Sequence, residues 1–377
     1  MFDIGKPEID AITRVIRSKK LSRFQSGKVG ETAQFERDFA KFIGVKYSFA
    51  INSGTSALTC ALVALGVGPG DEVPVSAYTW ITTALAPMIL GAIPVLVEVD
   101  ESLTMDPKDL ARKISKKTKA VIPVHMNNLP CNMDEIMRIT KAAGVPIVED
   151  ACQAVGGMYK GRRLGSFGAI NAFSFNCYKN ITCGEGGGFV TDDEELFDRA
   201  RIYSDAGIFV QEVDRPVEIP HFAGQAFRIS DIQGAMLNAQ LKQLDAWMTQ
   251  WRDRRNRAAK ILVDRGFTIA KHHDPETAVG LPVQFKTVEE AKAFADRNGF
   301  HQFINTWRHV YTNWKPIVDR QTYRPDINPL TTPAGKKFKY GPDAAPKTLD
   351  ILARTVNATP LWNMPIAALV KKYKSIQ

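Results

Sequence analysis

Between residues 46 and 190 the chain alternates short apolar runs with helical stripes. Runs at 46–51, 72–75, 93–99, 120–124 and 145–148 read as strands. An apolar helix through Leu65 and stripes at 107–115 and 133–142 fall between them. Alternating β and α elements of this length predict an α/β chain with a mostly parallel sheet, helices on both faces. Ligands of such sheets gather at the carboxyl ends of the strands. Ahead of this block, Pro7 opens a helix with Ile9, Ile12, Val15 and Ile16 on one face. A second helix carries Phe35, Phe39, Phe42 and Ile43 and ends near Gly44, with a polar loop at 21–30 between the two.

Beyond the block, 193–204 reads as a helix and 205–224 as a loop. A long helix starts near Ile229, with Ile232, Ala235, Met236, Ala239 and Leu244 on one side. It runs through Trp247 and Trp251 into the basic stretch 252–260 and bridges two domains, expected at 1–250 and 251–377. The smaller α+β domain should hold strands at 267–270, 280–285 and 303–310 and a helix at 288–297. An extended loop at 324–343 and helices near 345–356 and 365–373 should close the chain.

Two of the runs deliver chemistry at their ends. The run at 145–148 ends in Glu149-Asp150, and the run at 172–175 leads into Lys179. Glycines at 184 and 186–188 then let the backbone turn closely before a strand at 188–191. One carboxylate and one lysine on neighbouring strands suit pyridoxal phosphate. The lysine forms a Schiff base with the aldehyde, and the carboxylate keeps the ring nitrogen protonated so that the ring draws electrons. A lone lysine after an apolar run is by default a surface residue, and Asp150 has a competing reading as a helix N-cap. Asn52-Ser53-Gly54-Thr55-Ser56 joins a strand to a helix and offers N–H groups and hydroxyls to a phosphate, although plain N-caps use the same residues. His125 follows a strand end, and two readings stay open for it: a contact with substrate or cofactor, or a histidine satisfied within its loop.

Asp150-Ala151-Cys152-Gln153, then Phe173-Ser174-Phe175-x-x-x-Lys179-Asn180, then Gly184-Glu185-Gly186-Gly187 together resemble the cofactor segment of the DegT/DnrJ/StrS sugar aminotransferases. The resemblance runs from about Gly30 to about Ala246. It implies the aspartate aminotransferase fold, with a seven-stranded-type sheet in the large domain, and pyridoxal 5'-phosphate as cofactor. By the same resemblance Lys179 holds the cofactor and shuttles a proton, and Asp150 pairs with the ring nitrogen. Gln153 lies against the ring or its hydroxyl, Ser174, Gly54 and Thr55 take the phosphate, and Trp80 stacks on the ring. Trp80 also fits a core position at a helix start. Two positions depart from the family pattern. Asn176 stands where His is frequent, and Ala226 precedes Phe227-Arg228 where Asn reaches the neighbouring subunit's phosphate. Gln225 and Arg228 are the candidate substitutes. Asn305-Thr306-Trp307-Arg308-His309-Val310, followed by Asn313-Trp314-Lys315, resembles the matching stretch of amino-deoxy-octulosonate transaminases. That adds His309 and Arg228 to His125 as substrate candidates, with Trp307 and Trp314 open to a core role.

Composition narrows the picture modestly. The 377 residues are 45% hydrophobic and 24% charged, enough for a large core and more than one domain. The net charge of +9 reads first as a solvated surface and second as a field attracting anionic ligands. No nucleic-acid motif accompanies it. No apolar run reaches membrane-span length and the first residues carry no signal pattern, so a cytoplasmic protein is expected. Five cysteines without a CxxC argue against a disulfide framework and against a metal site; Cys152, Cys177 and Cys183 read as small buried hydrophobes.

The expected function is amino transfer, from glutamate to a keto sugar (nucleotide-linked, or a long-chain sugar acid), in two ping-pong half-reactions. The resemblance further implies a homodimer with its active site at the subunit interface. The alternatives are decarboxylation or sugar dehydration on the same fold, or a non-catalytic regulator. Resembling dehydratases carry histidine in place of the lysine, so Lys179 weighs against that one. The glycines at 184–188 follow the lysine rather than precede it, which fails the order of a nucleotide-binding P-loop.

Overall fold

The computed structural model describes residues 4–26, 29–207, 217 and 219–376. Tyr47–Ile51 and Asn171–Ser174 flank Gly187–Thr191 in an antiparallel ladder. Glu72–Ser76 pairs in parallel with Ile93–Val97. Parallel bridges join the two pieces: Ala172 to Asp150, Asp150 to Val124, Ile147 to Val121, and Ile122 to Val75. The sheet order is therefore 47–51, 187–191, 171–174, 147–150, 121–124, 72–76, 93–97. Among the described residues this makes seven segments, of which 187–191 alone runs against the others. It is the mostly parallel sheet that the alternating pattern predicts.

Every residue of Glu72–Ser76, Ile93–Val97 and Gly187–Thr191 is buried. A sheet covered on both faces needs such near-continuous apolar strands. Gly54–Ala64 is apolar around almost its whole circumference and is buried accordingly. Its N-terminus is pressed against the sheet. A Cβ on Gly187 would lie 2.2 Å from the carbonyl carbon of Ser53, so only glycine lets this strand pass the turn.

The second sheet is antiparallel, in the order His301–Gln302, Thr355–Asn357, Pro282–Gln284, Thr268–Ile269. Leu262, Val283, Phe294, Val356 and Tyr373 form its separate core. Helix Leu244–Asp264 serves both units: Leu244, Met248 and Trp251 join one core, and Ala258, Ala259 and Leu262 the other.

Several expectations are corrected. The single long helix is two, Asp231–Leu241 and Leu244–Asp264. In the first helix, Lys6–Ser18, the buried residues are Glu8, Ala11 and Val15, while Ile9 and Ile16 are 61% and 56% exposed. Ala11 and Val15 pack on Ala235, a small residue that admits a close helix crossing and shifts the contact off the isoleucine stripe. The stretch 303–310 is not a strand but the 3-10 turns Phe303–Asn305 and Trp307–His309. Its neighbours Tyr311 and Trp314 are buried in the main core, and Trp314 donates its indole N–H to the Arg308 carbonyl at 2.7 Å. That anchoring draws the segment away from the small sheet and onto the large one, where Thr79 N–H meets the His309 carbonyl at 2.9 Å. Trp314 is thus core, whereas Trp307 is exposed. The helix expected at 345–356 stops at Ala353, and Thr355–Asn357 becomes a strand. The loop at 324–343 carries 3-10 turns and buries Tyr340, which donates to the Pro94 carbonyl. Cys177 is exposed rather than buried. Much of the loop expected at 205–224, and residues 27–28 of the earlier one, lie outside the described residues.

Candidate active site

A cavity of about 550 Å³ opens at the carboxyl ends of the parallel strands. Its floor is Asp150, the last residue of its sheet segment. The carboxylate accepts from Thr83 Oγ1 at Oδ2 (2.7 Å) and from the Cys152 N–H at Oδ1 (3.1 Å). Thr83 in turn shares a 2.8 Å bond with Thr79. A buried carboxylate is retained only when its oxygens are bonded, and these contacts fix its plane. The Cys152 thiol beside it is pushed well above its ordinary pKa by burial and by the Asp150 charge, with Lys179 acting in the opposite sense. Cys152 is accordingly an inert thiol that packs.

Beneath the floor Glu149 is completely buried. It accepts from the N–H groups of Phe167 and Gly168 at Oε1, and from Gly165 N–H and His125 Nε2 at Oε2. His125 accepts the Cys131 N–H at Nδ1, 3.1 Å. Burial disfavours a charge on this ring, while the Cys131 thiol and Glu149 favour one. The Cys131 N–H decides, because it occupies the lone pair that a second proton would need. His125 is therefore a neutral ring that ties Glu149 to the core. It does not line the cavity, which corrects its place among the substrate candidates.

One wall is the start of helix Gly54–Ala64. Ser53 caps it, its hydroxyl accepting from Ser56 N–H at 3.1 Å. The first-turn N–H groups of a helix have no partner within it, and Gly54 and Thr55 lie on the cavity. A Cβ on Gly54 would sit 2.8 Å from both Cys152 Sγ and Ser174 Cβ, so the glycine lets the helix end approach Cys152 and Ser174 together. Another part of the lining carries Lys179 and the exposed Tyr178, on a turn closed by Lys179 N–H to the Asn176 carbonyl. Asn176 donates to both oxygens of Glu185 at 2.9 Å, tying this turn to the glycine run.

The last wall comes from far along the chain. His309 lies 5.3 Å from Trp80, and Arg308 sits 5.6 Å over the same indole. Trp80 is therefore a partly exposed wall of the cavity and not a core residue. His309 donates from Nδ1 to the Thr306 carbonyl, leaving Nε2 as an acceptor for Gln153 Nε2 at 3.3 Å. Gln153 Oε1 accepts the Asn127 N–H, so the amide cannot flip and one of its N–H bonds remains for a ligand. Burial lowers the His309 pKa, the Thr306 carbonyl works against this, and the Lys179 charge reinforces it. The ring is neutral, as this geometry requires.

The structure thus brings Gly54, Thr55, Trp80, Asp150, Gln153, Ser174, Lys179 and His309 onto one cavity. Arg228 stays outside it, bonded to Asp205 at 2.5 Å. Sequence reasoning missed Thr79, Thr83, Asn127 and Tyr178. The two threonines are spaced i, i+4 at the start of helix Thr82–Ile89, a signal that becomes readable only once Asp150 is known to face them.

This cavity fits pyridoxal phosphate: a fixed carboxylate at its floor, helix-terminal N–H groups and the Ser174 hydroxyl, an indole face, and a lysine all line it. Among the described residues no group of His, Cys, Asp or Glu is placed to hold a metal ion, and no helix is long and apolar enough to cross a membrane.

Comparisons with known proteins agree with this architecture. Spore coat polysaccharide biosynthesis protein SpsC of Bacillus subtilis (strain 168) is 41% identical over 256 residues, 64% of this chain; the match spans 63% of the length of that relative. The structure of 3-amino-5-hydroxybenzoic acid synthase superposes with a TM-score of 0.78 at 26% identity, covering 100% of this chain and 96% of that one. E. coli GDP-4-keto-6-deoxy-D-mannose-3-dehydratase, with bound hydrated PLP, reaches 0.81 at 20% identity over 100% of this chain and 98% of its own, and shares the fold. The model of the DegT/DnrJ/EryC1/StrS aminotransferases matches residues 3–334, and the chain belongs to that family.

Proposed function

We propose that this protein is a pyridoxal phosphate-dependent aminotransferase that takes an amino group from glutamate and delivers it to a keto sugar, either nucleotide-linked or a long-chain sugar acid. The observation that carries this reading is the meeting of Asp150, Lys179 and the Gly54–Thr55 helix start on one cavity. The cofactor, when bound, supplies an aldehyde for the amino group and a ring that withdraws electrons. Lys179 would hold it through Nζ and, once displaced by the donor, move a proton at that atom. Asp150, locked by Thr83 and the Cys152 N–H, would hold the ring-nitrogen proton in place. Gly54, Thr55 and Ser174 would bind the phosphate, Trp80 would cover the ring, and Gln153 would donate its remaining N–H to a cofactor oxygen.

The two units on either side of helix Leu244–Asp264 support a division near residue 250. We also take the working form to be a cytoplasmic homodimer with the active site at the subunit interface, since Arg228 and Gln225 lie off the cavity of the one chain. The test is an absorbance spectrum of the purified protein with pyridoxal phosphate before and after glutamate, with Lys179→Ala alongside. A lysine-linked band that glutamate converts to the pyridoxamine form is expected. Identical spectra for wild type and Lys179→Ala would remove the lysine assignment. A band that glutamate leaves unchanged would remove the donor.

A further inference from the structure

Lys179 sits at the middle of residues 176–182, an excursion from the sheet whose two ends are tied together. Phe175 N–H donates to the Gly186 carbonyl at 2.8 Å, and Cys183 N–H donates to the Phe175 carbonyl at 3.1 Å. The two halves of the excursion are held differently. Before the lysine, Cys177 and Tyr178 are exposed. After it, Asn180 donates to the Val155 carbonyl at 2.7 Å, and Ile181 and Thr182 are buried. Lys179 stands where the free half meets the fixed half.

The fixed half is gripped from one helix. Gln233 and Gln240 are seven positions apart on Asp231–Leu241, so they share a face of it, two turns apart. Gln240 accepts the Thr182 N–H at Oε1, and Gln233 donates from Nε2 to the Glu185 carbonyl, both at 2.7 Å. Between these points Thr182 Oγ1 donates to the Phe175 carbonyl at 3.1 Å and accepts the Gly184 N–H at 3.0 Å. Gln240 is completely buried, and its Nε2 has no partner among the described residues. Turning the amide over would set Nε2 against the Thr182 N–H, donor against donor. A buried amide with idle N–H bonds is costly to keep. What it secures is a fixed Thr182, and through it a fixed root for Lys179.

We propose that Gln233 and Gln240 are positioning residues for Lys179. They clamp residues 182–185 to the helix, so that the lysine's main chain stays in place while its amine leaves the cofactor and returns. The proposal rests on the aminotransferase reading and deepens it. A lysine's four-carbon stem lets Nζ sweep a wide volume. A displaced amine recombines efficiently only if it is held near its target, an advantage that acts as a raised effective concentration. The clamped half supplies that hold, and the solvated half leaves Nζ room to withdraw.

The experiment sets methylamine against Lys179 in the full chain loaded with pyridoxal phosphate, as wild type, Gln233→Glu and Gln240→Met. Methylamine forms its C=N bond to the cofactor carbon as the bond to Nζ breaks, and its two N–H protons pass to Nζ. Borohydride then reduces whichever C=N bond is present, and mass spectrometry reads the fraction of chains that still carry the cofactor. The methylamine concentration that frees half of the chains should fall about tenfold in each variant, because a loosened lysine loses effective concentration. Gln233→Glu keeps the helix cap, since a glutamate there accepts the Ser230 N–H as Gln233 does at 3.0 Å, but it sets an oxygen against the Glu185 carbonyl. Its melting temperature should stay within about 3 °C of wild type, so a lowered half-point reports the clamp and not unfolding. A half-point within about twofold of wild type in Gln233→Glu overturns the proposal, whether or not Gln240→Met folds. A wild-type chain that never gains the cofactor's mass removes the Lys179 assignment and this proposal with it. A wild-type chain that gains it, but whose band glutamate leaves unchanged, removes the donor while the lowered half-points still support the clamp.

Discussion

The floor of the cavity and its entrance are built on opposite principles. At the floor, Asp150 and Glu149 lie almost or completely out of solvent, and every carboxylate oxygen is bonded by a core residue or main-chain N–H. At the entrance, Tyr178 and Cys177 are exposed, and the turn is tied down mainly by Asn176 and Glu185. The floor must hold a charge at a fixed place and orientation, which only a close-packed network can do. On the proposed function the entrance must admit a donor and an acceptor in turn, and a solvated turn costs little to move.

That contrast is broken or sharpened by substitution. Asp150→Asn should have the largest effect, lowering kcat by about 10²–10³-fold, the scale for removing one preorganised electrostatic group. Single-turnover kinetics with glutamate would measure it, and a loss below tenfold would show that the floor is not electrostatic. His125→Leu should cost about 3 kcal/mol by leaving Glu149 short of a donor in the core. Denaturant unfolding would read this, with KM for both substrates unchanged; a KM effect without a stability loss would return His125 to the substrate candidates.

Gly54→Ala should cost about 1–3 kcal/mol, because its Cβ would collide with Cys152 and Ser174. It should also loosen retention of the cofactor, measured by dialysis and absorbance. His309 adds a pH dependence. Its folded pKa is lowered, so its contribution to stability is complete above the ordinary histidine value of about 6.5 and is lost as pH falls through the folded value. The melting temperature of His309→Gln should therefore fall less than that of wild type on going from pH 7 to pH 5. Tyr178→Ala should change stability by no more than about 0.5 kcal/mol, as expected for an exposed side chain. A larger loss would mean that the entrance is packed like the floor.

The difference between the two regions follows what could be read in advance. Asp150, Lys179 and Gly54 are legible because strand ends and glycine turns are local features whose spacing survives in the chain, whereas Ser174 comes into view only through the family resemblance. The seven-segment sheet is legible for the same reason, since buried parallel strands must be apolar throughout. His309 was visible only as part of a short resemblance, and its own segment was misread as a strand. Tyr311 and Trp314 pull that segment onto the large core, a contact no local pattern announces. The first helix was misread for a related reason: its isoleucine stripe is a stronger local signal than the small Ala235 that decides which face is buried.

The sequence by itself determined the order of strands and helices, the carboxylate and lysine at neighbouring strand ends, and the glycines that let backbones touch. These depend on covalent spacing and on side-chain volume. Only the tertiary structure decided that Thr83 orients Asp150, that His125 supports Glu149 instead of facing the cavity, and that His309 fixes Gln153. Each of these joins residues tens to more than a hundred positions apart, and a hydrogen bond is decided by distance and direction in space, which the chain acquires only when its cores have packed.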